Sequence, residues 1–170
     1  MSRRKISFKV FENVRIESAV SEGNCIAFVD GKALFVKYAA PGDLVDVQVI
    51  KKKKNYLEGR IVKFHEKSPD RLQPFCQHFE ICGGCKWQHL PYSHQLEFKH
   101  KQVTDALERI GGIQGFEVRP ILGSQLTQNY RNKLDLTFSN RGWLVDFTPG
   151  ETKNPTALGF HIPGRFDKVL

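Results

Sequence analysis

Three of the four cysteines in this 170-residue sequence lie close enough together to share one metal centre. Cys76, Cys82 and Cys85 form the pattern C-x5-C-G-G-C, in which two glycines let the thiolates converge without straining the backbone. Three local cysteines completed by a distant fourth are typical of an iron–sulfur cubane, whereas structural zinc commonly takes two separated ligand pairs. The spacing therefore favours an iron–sulfur site and predicts these three cysteines as its ligands.

Other interpretations of the cysteines stay open. A zinc ion could take His78 or His89 as its fourth ligand, or the thiols could be clustered by coincidence. Cys25 is different, because it lies between Asn24 and Ile26 in a predicted strand. We expect Cys25 to be a core residue rather than a ligand.

The sequence is basic, with 26 Lys and Arg residues against 18 Asp and Glu residues and a formal net charge of +8. Most of the surplus lies in residues 1–67, before the cysteines. A basic surplus favours a polyanionic partner, since each phosphate neutralised by Lys or Arg releases counterions. The charge distribution predicts that the first third of the chain binds nucleic acid.

A run of lysines between two predicted strands is the first candidate contact for RNA. Lys51, Lys52, Lys53 and Lys54 precede Tyr56, so the segment could hold phosphates and stack a base. The alternative is a solvated loop that only keeps the protein soluble. The second candidates are Arg131 and Lys133, which are expected to flank a later strand.

Short apolar runs separated by Gly, Pro and Asp turn signals indicate the elements that must position these residues. Five strands are predicted: Val10–Val20, Cys25–Val29, Lys32–Val36, Leu44–Ile50 and Tyr56–Phe64. Five short strands in succession suggest a small closed barrel of the OB type, because closure removes exposed sheet edges. Pro69 cannot donate to a strand ladder and marks the end of this barrel.

After the predicted barrel, apolar and polar residues alternate less regularly. Residues 91–110 lack internal Pro and Gly and end at Gly111-Gly112, which predicts one long helix. Alternating apolar residues then predict a β-hairpin with arms at 134–138 and 143–147, and a further strand at 156–160. The expected fold is mainly β with one long helix: barrel (1–67), cysteine-rich loop and helix (68–112), and an antiparallel β region (113–170).

No apolar stretch is long enough to cross a bilayer, and Met1–Lys5 is not followed by an apolar signal core. These features predict a cytoplasmic protein with no membrane partner. Reducing conditions there disfavour disulfides and favour metal binding by clustered thiols.

The motifs resemble those of one enzyme family. Residues 76–90, CQHFEICGGCKWQHL, resemble the iron–sulfur signature of the RNA uracil-5-methyltransferases. The front of the chain resembles a TRAM domain, with Gly31-Lys32 and Pro41–Val45 at its turns, and Tyr130–Lys133 resembles the opening of the family's central β domain. A branch with both TRAM domain and cluster resembles the enzymes that methylate a uridine of 23S-type ribosomal RNA.

The resemblance implies a 4Fe-4S cluster held by Cys76, Cys82, Cys85 and a fourth cysteine beyond Leu170. It also implies that the S-adenosylmethionine-binding domain, the nucleophilic cysteine and the general base lie downstream, so that no residue here is predicted to be catalytic. The expected partner is ribosomal RNA, and the expected state is a monomer. Two competing functions are a standalone zinc-containing RNA-binding module and an iron–sulfur electron carrier.

Overall fold

The computed structural model describes residues 9–143, 156–164 and 168–170. The chain forms two compact units. The barrel unit comprises Met1–Gln73 and His89–Gly123, and the cysteine unit comprises Pro74–Gln88 and Ser124–Leu170. The domain limits at 1–67, 68–112 and 113–170 stay predictions.

The barrel unit is built on one curled sheet of six strands in the order β1-β5-β6-β4-β3-β2. The strands are β1 Val10–Arg15, β2 Ser18–Ala19, β3 Asn24–Val29, β4 Lys32–Lys37, β5 Leu44–Lys52 and β6 Tyr56–Glu66. All neighbours pair antiparallel except β4 and β6, which are parallel. The mainly β architecture predicted for this region is confirmed.

The first predicted strand, Val10–Val20, is wrong as a single element. Up to Arg15 the chain pairs with β5, and from Ser18 it pairs with β3. Between the two strands the Ile16 amide donates to the Asp43 carbonyl and the Glu17 amide donates to the Ile26 carbonyl. The strand is therefore divided because the chain changes its pairing partner at these two residues.

The core lies between the inward faces of the strands. Val45, Val47 and Val49 are buried at alternate positions of β5, as their period of two predicts. Gly59 on β6 is needed at its position, because a Cβ there would overlap the Val47 side chain. The core thus selects alternating apolar residues on β5 and a glycine opposite them on β6.

The predicted helix is confirmed, with a different ending. Helix α1 spans Tyr92–Asp105, and Ala106–Ile110 continues it as a π-helical turn in which the Gly111 amide donates to the Ala106 carbonyl. No side chain of α1 is buried. No helix within the described ranges is long and apolar enough to cross a membrane.

In the cysteine unit, β7 Thr137–Ser139 pairs antiparallel with β8 Ala157–Gly159. The strand predicted at 156–160 is thereby confirmed. The second arm of the predicted hairpin, 143–147, lies outside the described residues apart from Trp143, whose amide donates to the Val169 carbonyl over 2.8 Å.

Candidate RNA interface and metal-ligand loop

The lysine run forms the tip between β5 and β6. Lys51 and Lys52 end β5, and the Lys53 amide donates to the Tyr56 carbonyl over 2.9 Å, which closes the turn. Lys32 reaches the tip from β4 and donates its ammonium to the Lys54 carbonyl over 3.2 Å. The tip predicted to bind phosphate therefore has a defined backbone, with all four of its lysines exposed.

The four lysines are not equivalent. Lys51 forms an ion pair with Glu58, with 2.9 Å between its Nζ and the Glu58 Oε1, and this contact raises the pKa of Lys51. Among the described residues, no carboxylate lies within ion-pair distance of Lys52, Lys53 or Lys54. Their three ammonium groups are therefore the ones available to a polyanion.

Tyr56 follows the tip and is half-buried. Its ring meets the ring of Phe35 edge to face, with 5.5 Å between the ring centroids and an angle of 80° between the planes. Such edge contacts are favourable for aromatic pairs and restrict ring motion. Tyr56 is thus an aromatic side chain of fixed orientation next to three exposed cations.

Arg131 and Lys133 lie in the cysteine unit, where both are exposed. Arg131 donates from Nε to the Lys133 carbonyl over 3.0 Å, and Lys133 approaches Asp135 at 3.7 Å. They precede β7 by several residues, so the expectation that they flank a strand is wrong. Their part in RNA binding stays a prediction.

The cysteine loop is wound into consecutive turns. The Phe79 amide donates to the Cys76 carbonyl over 3.1 Å, and the Cys82 amide donates to the His78 carbonyl over 2.8 Å. The Gly84 amide then donates to the Cys82 sulfur over 3.3 Å. Amide hydrogen bonds to sulfur stabilise a thiolate and are a usual feature of iron–sulfur ligation.

The three thiols of the cysteine loop are chemically suitable ligands for a metal centre. Cys76 and Cys82 are half-buried, Cys85 is exposed, and none of the three forms a disulfide. Within the described part of the chain, no group of three His, Cys, Asp or Glu side chains is gathered closely enough to hold a metal ion. The loop therefore supplies suitable sulfur ligands that would have to draw together around a metal.

Gly83 has a packing function in this loop. Its amide donates to the His161 carbonyl over 3.1 Å, and a Cβ at this position would lie 2.8 Å from the same oxygen. Gly84 is less constrained, since a Cβ there would meet the Cys82 sulfur at 3.4 Å. The first glycine is needed for close backbone approach, and the second leaves room for a ligand sulfur.

His89, one of the two zinc-ligand alternatives, belongs to the barrel core. It is 1% exposed, and its Nε2 lies 2.9 Å from the Ala39 carbonyl. Burial lowers the pKa of the imidazole, which favours the neutral ring as the donor in this hydrogen bond. The contact explains His89 without a metal.

Cys25 is confirmed as a core residue. Its thiol is fully buried and donates to the same Ala39 carbonyl over 3.0 Å. Burial, with the nearby Asp43 carboxylate, raises the pKa of Cys25 to about 12. The thiol therefore stays protonated, which is unsuitable for a metal ligand.

A buried carboxylate that the sequence did not reveal holds the end of the barrel. Asp43 accepts hydrogen bonds from Arg71 Nε and Nη2 at 2.8 and 2.6 Å, and from the Ser68 and Ala40 amides at 2.9 and 2.6 Å. Arg71 also donates to the Tyr38 carbonyl. Burial acts to raise the pKa of Asp43, but Arg71 and the two amides outweigh it and hold the pKa below its ordinary value.

This Asp43–Arg71 pair joins the turn after β4 to the segment after β6. Immediately beyond it the Leu72 amide donates to the His89 carbonyl over 2.9 Å. The chain thus leaves and re-enters the barrel unit at a hydrogen-bonded pair of residues. The turn Pro41–Val45 was apparent in the sequence, but its partner Arg71 carried no local signal.

Comparison with known proteins shows similarity to one domain family and to several proteins named as RNA methyltransferases. Residues 11–62 match the TRAM domain family. The chain is 52% identical over 166 residues to an uncharacterized RNA methyltransferase of Porphyromonas gingivalis, covering 92% of this chain and 35% of the relative. It is 56% identical over 153 residues to a protein of the same name from Bacteroides thetaiotaomicron, covering 88% of this chain and 34% of the relative.

A third RNA methyltransferase, from Chlorobaculum tepidum, is 47% identical over 135 residues, covering 77% of this chain and 28% of the relative. A solved structure, the Pyrococcus abyssi tRNA (uracil-54, C5)-methyltransferase in complex with S-adenosyl-L-homocysteine, matches at 29% identity with a TM-score of 0.34. That match covers 59% of this chain and 21% of the other. The chain spans about a third of the length of the curated relatives.

Proposed function

From the premise that this chain belongs to the TRAM-containing RNA methyltransferases, matching the N-terminal part of its relatives, we propose that it is the RNA-holding part of a uracil-5-methyltransferase acting on large-subunit ribosomal RNA. The observation that carries the proposal is the ordered tip of exposed lysines beside Tyr56 on the TRAM barrel. The methyl donor S-adenosylmethionine and the catalytic groups are assigned to the rest of the parent enzyme. The residues described here bind and orient RNA.

The lysine tip would hold the RNA backbone. Lys52, Lys53 and Lys54 present three ammonium groups on one turn, and counterion release on phosphate binding makes such contacts strong at low salt. Ammonium groups that meet phosphates position the RNA without reading its bases. Selection of one uridine is therefore assigned to other contacts, with Arg131 and Lys133 as candidates.

Cys76, Cys82 and Cys85 are proposed as ligands of a 4Fe-4S cluster. Support comes from three thiols outside any disulfide on one loop and from the Gly84 amide that donates to the Cys82 sulfur. When bound, such a cluster would cross-link the loop through iron–sulfur bonds and make it sensitive to oxidants. Iron and sulfide analysis of anaerobically purified full-length parent protein tests this, and one zinc without sulfide would reject it.

The RNA-binding proposal is tested with charge-matched variants. Lys52, Lys53 and Lys54 changed together to Ala should weaken binding of a large-subunit ribosomal RNA fragment and reduce the slope of log affinity against log salt by about 2. The control removes the same charge at three other exposed lysines of the barrel unit that have no ion-pair partner among the described residues: Lys63, Lys67 and Lys99. Equal losses in both variants would show that only net charge matters.

The RNA target needs its own test. Methylation of ribosomal and transfer RNA transcripts by the full-length parent, followed by mass spectrometry of the nucleosides, should place 5-methyluridine in the large-subunit transcript. Methylation of the tRNA alone would reject the ribosomal assignment while leaving the RNA-binding part of the proposal intact.

A further inference from the structure

Resting on the proposed RNA-binding function, we infer that the outer face of β3, β4 and β6 binds unpaired nucleotides, with Phe28 and Tyr56 as stacking surfaces for bases. The lysine tip would hold the phosphates of the same segment. The RNA bound on this face is single-stranded, and Phe28 is a contact that the sequence did not indicate.

The strand register places the two aromatic residues in one row. Phe28 on β3 lies opposite Ala33 on β4, and Ala33 lies opposite Tyr56 on β6. The adjacent row on the same strands is buried and consists of Ala27, Leu34 and Leu57. Because successive side chains alternate between faces, the Phe28–Ala33–Tyr56 row lies on the outer face.

The row has the shape of a platform for a flat ligand. Ala33 contributes only a methyl group, and the two aromatic residues stand two strand spacings apart, roughly 10 Å between backbones. Phe35, two residues further along β4, contacts the Tyr56 ring edge to face and fixes its orientation. A surface that is rigid before binding loses little conformational entropy when a base stacks on it.

Phe28 is the most informative residue, because 58% of it is exposed whereas its neighbour Ala27 is fully buried. A contiguous exposed apolar surface commonly marks a binding site, and Phe28 extends the row that contains Tyr56. This face is cationic: Lys37 on β4 and Arg60 on β6 are exposed on the same side of the sheet, and the lysine tip lies just before Tyr56. Charge complementarity therefore favours a polyanion with planar groups over an apolar protein partner.

One acidic residue lies on the same face. Glu58 occupies the row that contains Phe35, and its carboxylate would repel phosphate. The ion pair with Lys51, at 2.9 Å, neutralises it. The face thus combines aromatic surfaces, a compensated carboxylate and exposed lysines, the combination used to bind single strands without strong sequence preference.

The test compares single-stranded oligouridine with a hairpin duplex containing the same number of phosphates, both measured by fluorescence anisotropy at several salt concentrations. Phe28→Ala should weaken binding of the single strand roughly 10-fold and leave the duplex unchanged, because base stacking is lost. The salt slope should stay the same, since no phosphate contact is removed. Phe28→Tyr should retain the affinity, and Val62→Ala, which trims another exposed apolar residue of β6, should have no effect.

A second variant, Ala33→Leu, keeps every aromatic ring but fills the space between Phe28 and Tyr56, and it should also weaken single-strand binding. Unchanged single-strand affinity in both Phe28→Ala and Ala33→Leu, with a loss in the Lys52–Lys54 variant, would overturn the stacking inference and leave RNA binding standing. A wild-type chain that binds neither RNA would reject both. A patch that mediates self-association instead would appear as a change in sedimentation with unchanged RNA affinity, and would also overturn it.

Discussion

In the barrel unit the lysine tip is fixed by backbone hydrogen bonds and by Lys32, whereas in the cysteine unit the three candidate thiols are held mainly by turns of their own loop. In the barrel, the backbone of the lysine tip and the Tyr56 ring are held in place before any ligand binds. The cysteine loop supplies three thiols that would have to move closer together to bind a metal ion. A polyanion needs only an array of charge, but a metal centre needs its ligands within bonding distance, so the two sites differ in how much the bound group must organise.

The largest expected difference between the two units is in the reactivity of their cysteines. In the folded, metal-free chain, iodoacetamide should label Cys76, Cys82 and Cys85, while Cys25 should react only after unfolding. The raised pKa of Cys25, from 9.0 to about 12, makes its thiolate fraction about a thousandfold smaller, and burial blocks access. Peptide mass spectrometry measures each site. Rapid labelling of Cys25 in the folded protein would contradict the assigned core.

The next largest expected effect is the loss of unfolding free energy when the buried Asp43 carboxylate is removed. Asp43→Ala should cost about 3–5 kcal/mol of unfolding free energy, because Arg71 loses its carboxylate and the Ser68 and Ala40 amides lose their acceptor. The control is Glu66→Gln, which breaks the exposed Arg15–Glu66 pair and should cost less than about 1 kcal/mol. Urea denaturation followed by circular dichroism compares them. Similar losses would show that the buried pair does not hold the barrel.

Asp43 also predicts a pH dependence. Its folded-state pKa is lowered below the unfolded value of about 3.9, so its ionised form stabilises the fold above that pH. The contribution is lost as the pH falls through the lowered folded pKa. Wild type should therefore lose more stability than Asp43→Ala between pH 5 and the acid transition, which urea midpoints over this range would measure.

The sequence predicted the parts of the fold that depend on local pattern. The alternation of Val45, Val47 and Val49 indicated β5, and the absence of Pro and Gly over 91–110 indicated the helix. The parallel pairing of β4 with β6 was not accessible, because apolar alternation shows which residues are buried but not which strands pair.

Contacts between distant residues limited the site predictions in the same way. The sequence correctly placed the lysine run between two strands and Cys25 in the core, and RNA binding by the lysines stays a prediction. It gave no indication that Arg71 meets Asp43, that His89 bonds to Ala39, or that Lys51 meets Glu58. Nothing in the sequence distinguished Phe28 from other strand residues, because the register of the sheet determines whether its side chain is exposed. The exposure of such positions becomes apparent only when the strand pairing is known.

Gly59 and Gly83 allow the stability of the two units to be perturbed separately. Gly59→Ala should cost about 1–3 kcal/mol, because the added methyl overlaps Val47 in the core. Gly83→Ala should disturb only the cysteine unit, where it would meet the His161 carbonyl. Both tryptophans, Trp87 and Trp143, belong to the cysteine unit, so tryptophan fluorescence reports that unit and far-ultraviolet circular dichroism reports mainly the barrel. Equal shifts of the circular dichroism midpoint by both variants would contradict this separation.

The smallest expected effect distinguishes lysines within the tip. Lys51→Ala exposes the Glu58 carboxylate to phosphate, so RNA affinity should fall a few-fold, and Lys51→Ala combined with Glu58→Gln should restore it. Lys53→Ala should also lower RNA affinity, but adding Glu58→Gln should not restore it, because the Lys53 ammonium does not neutralise Glu58. The salt slope separates the roles further: it should fall by about 0.7–0.9 for Lys53→Ala and stay near the wild-type value in the double variant. A double variant that remains weak with a reduced slope would show that Lys51 contacts phosphate itself, and the tip would then act as four equivalent charges.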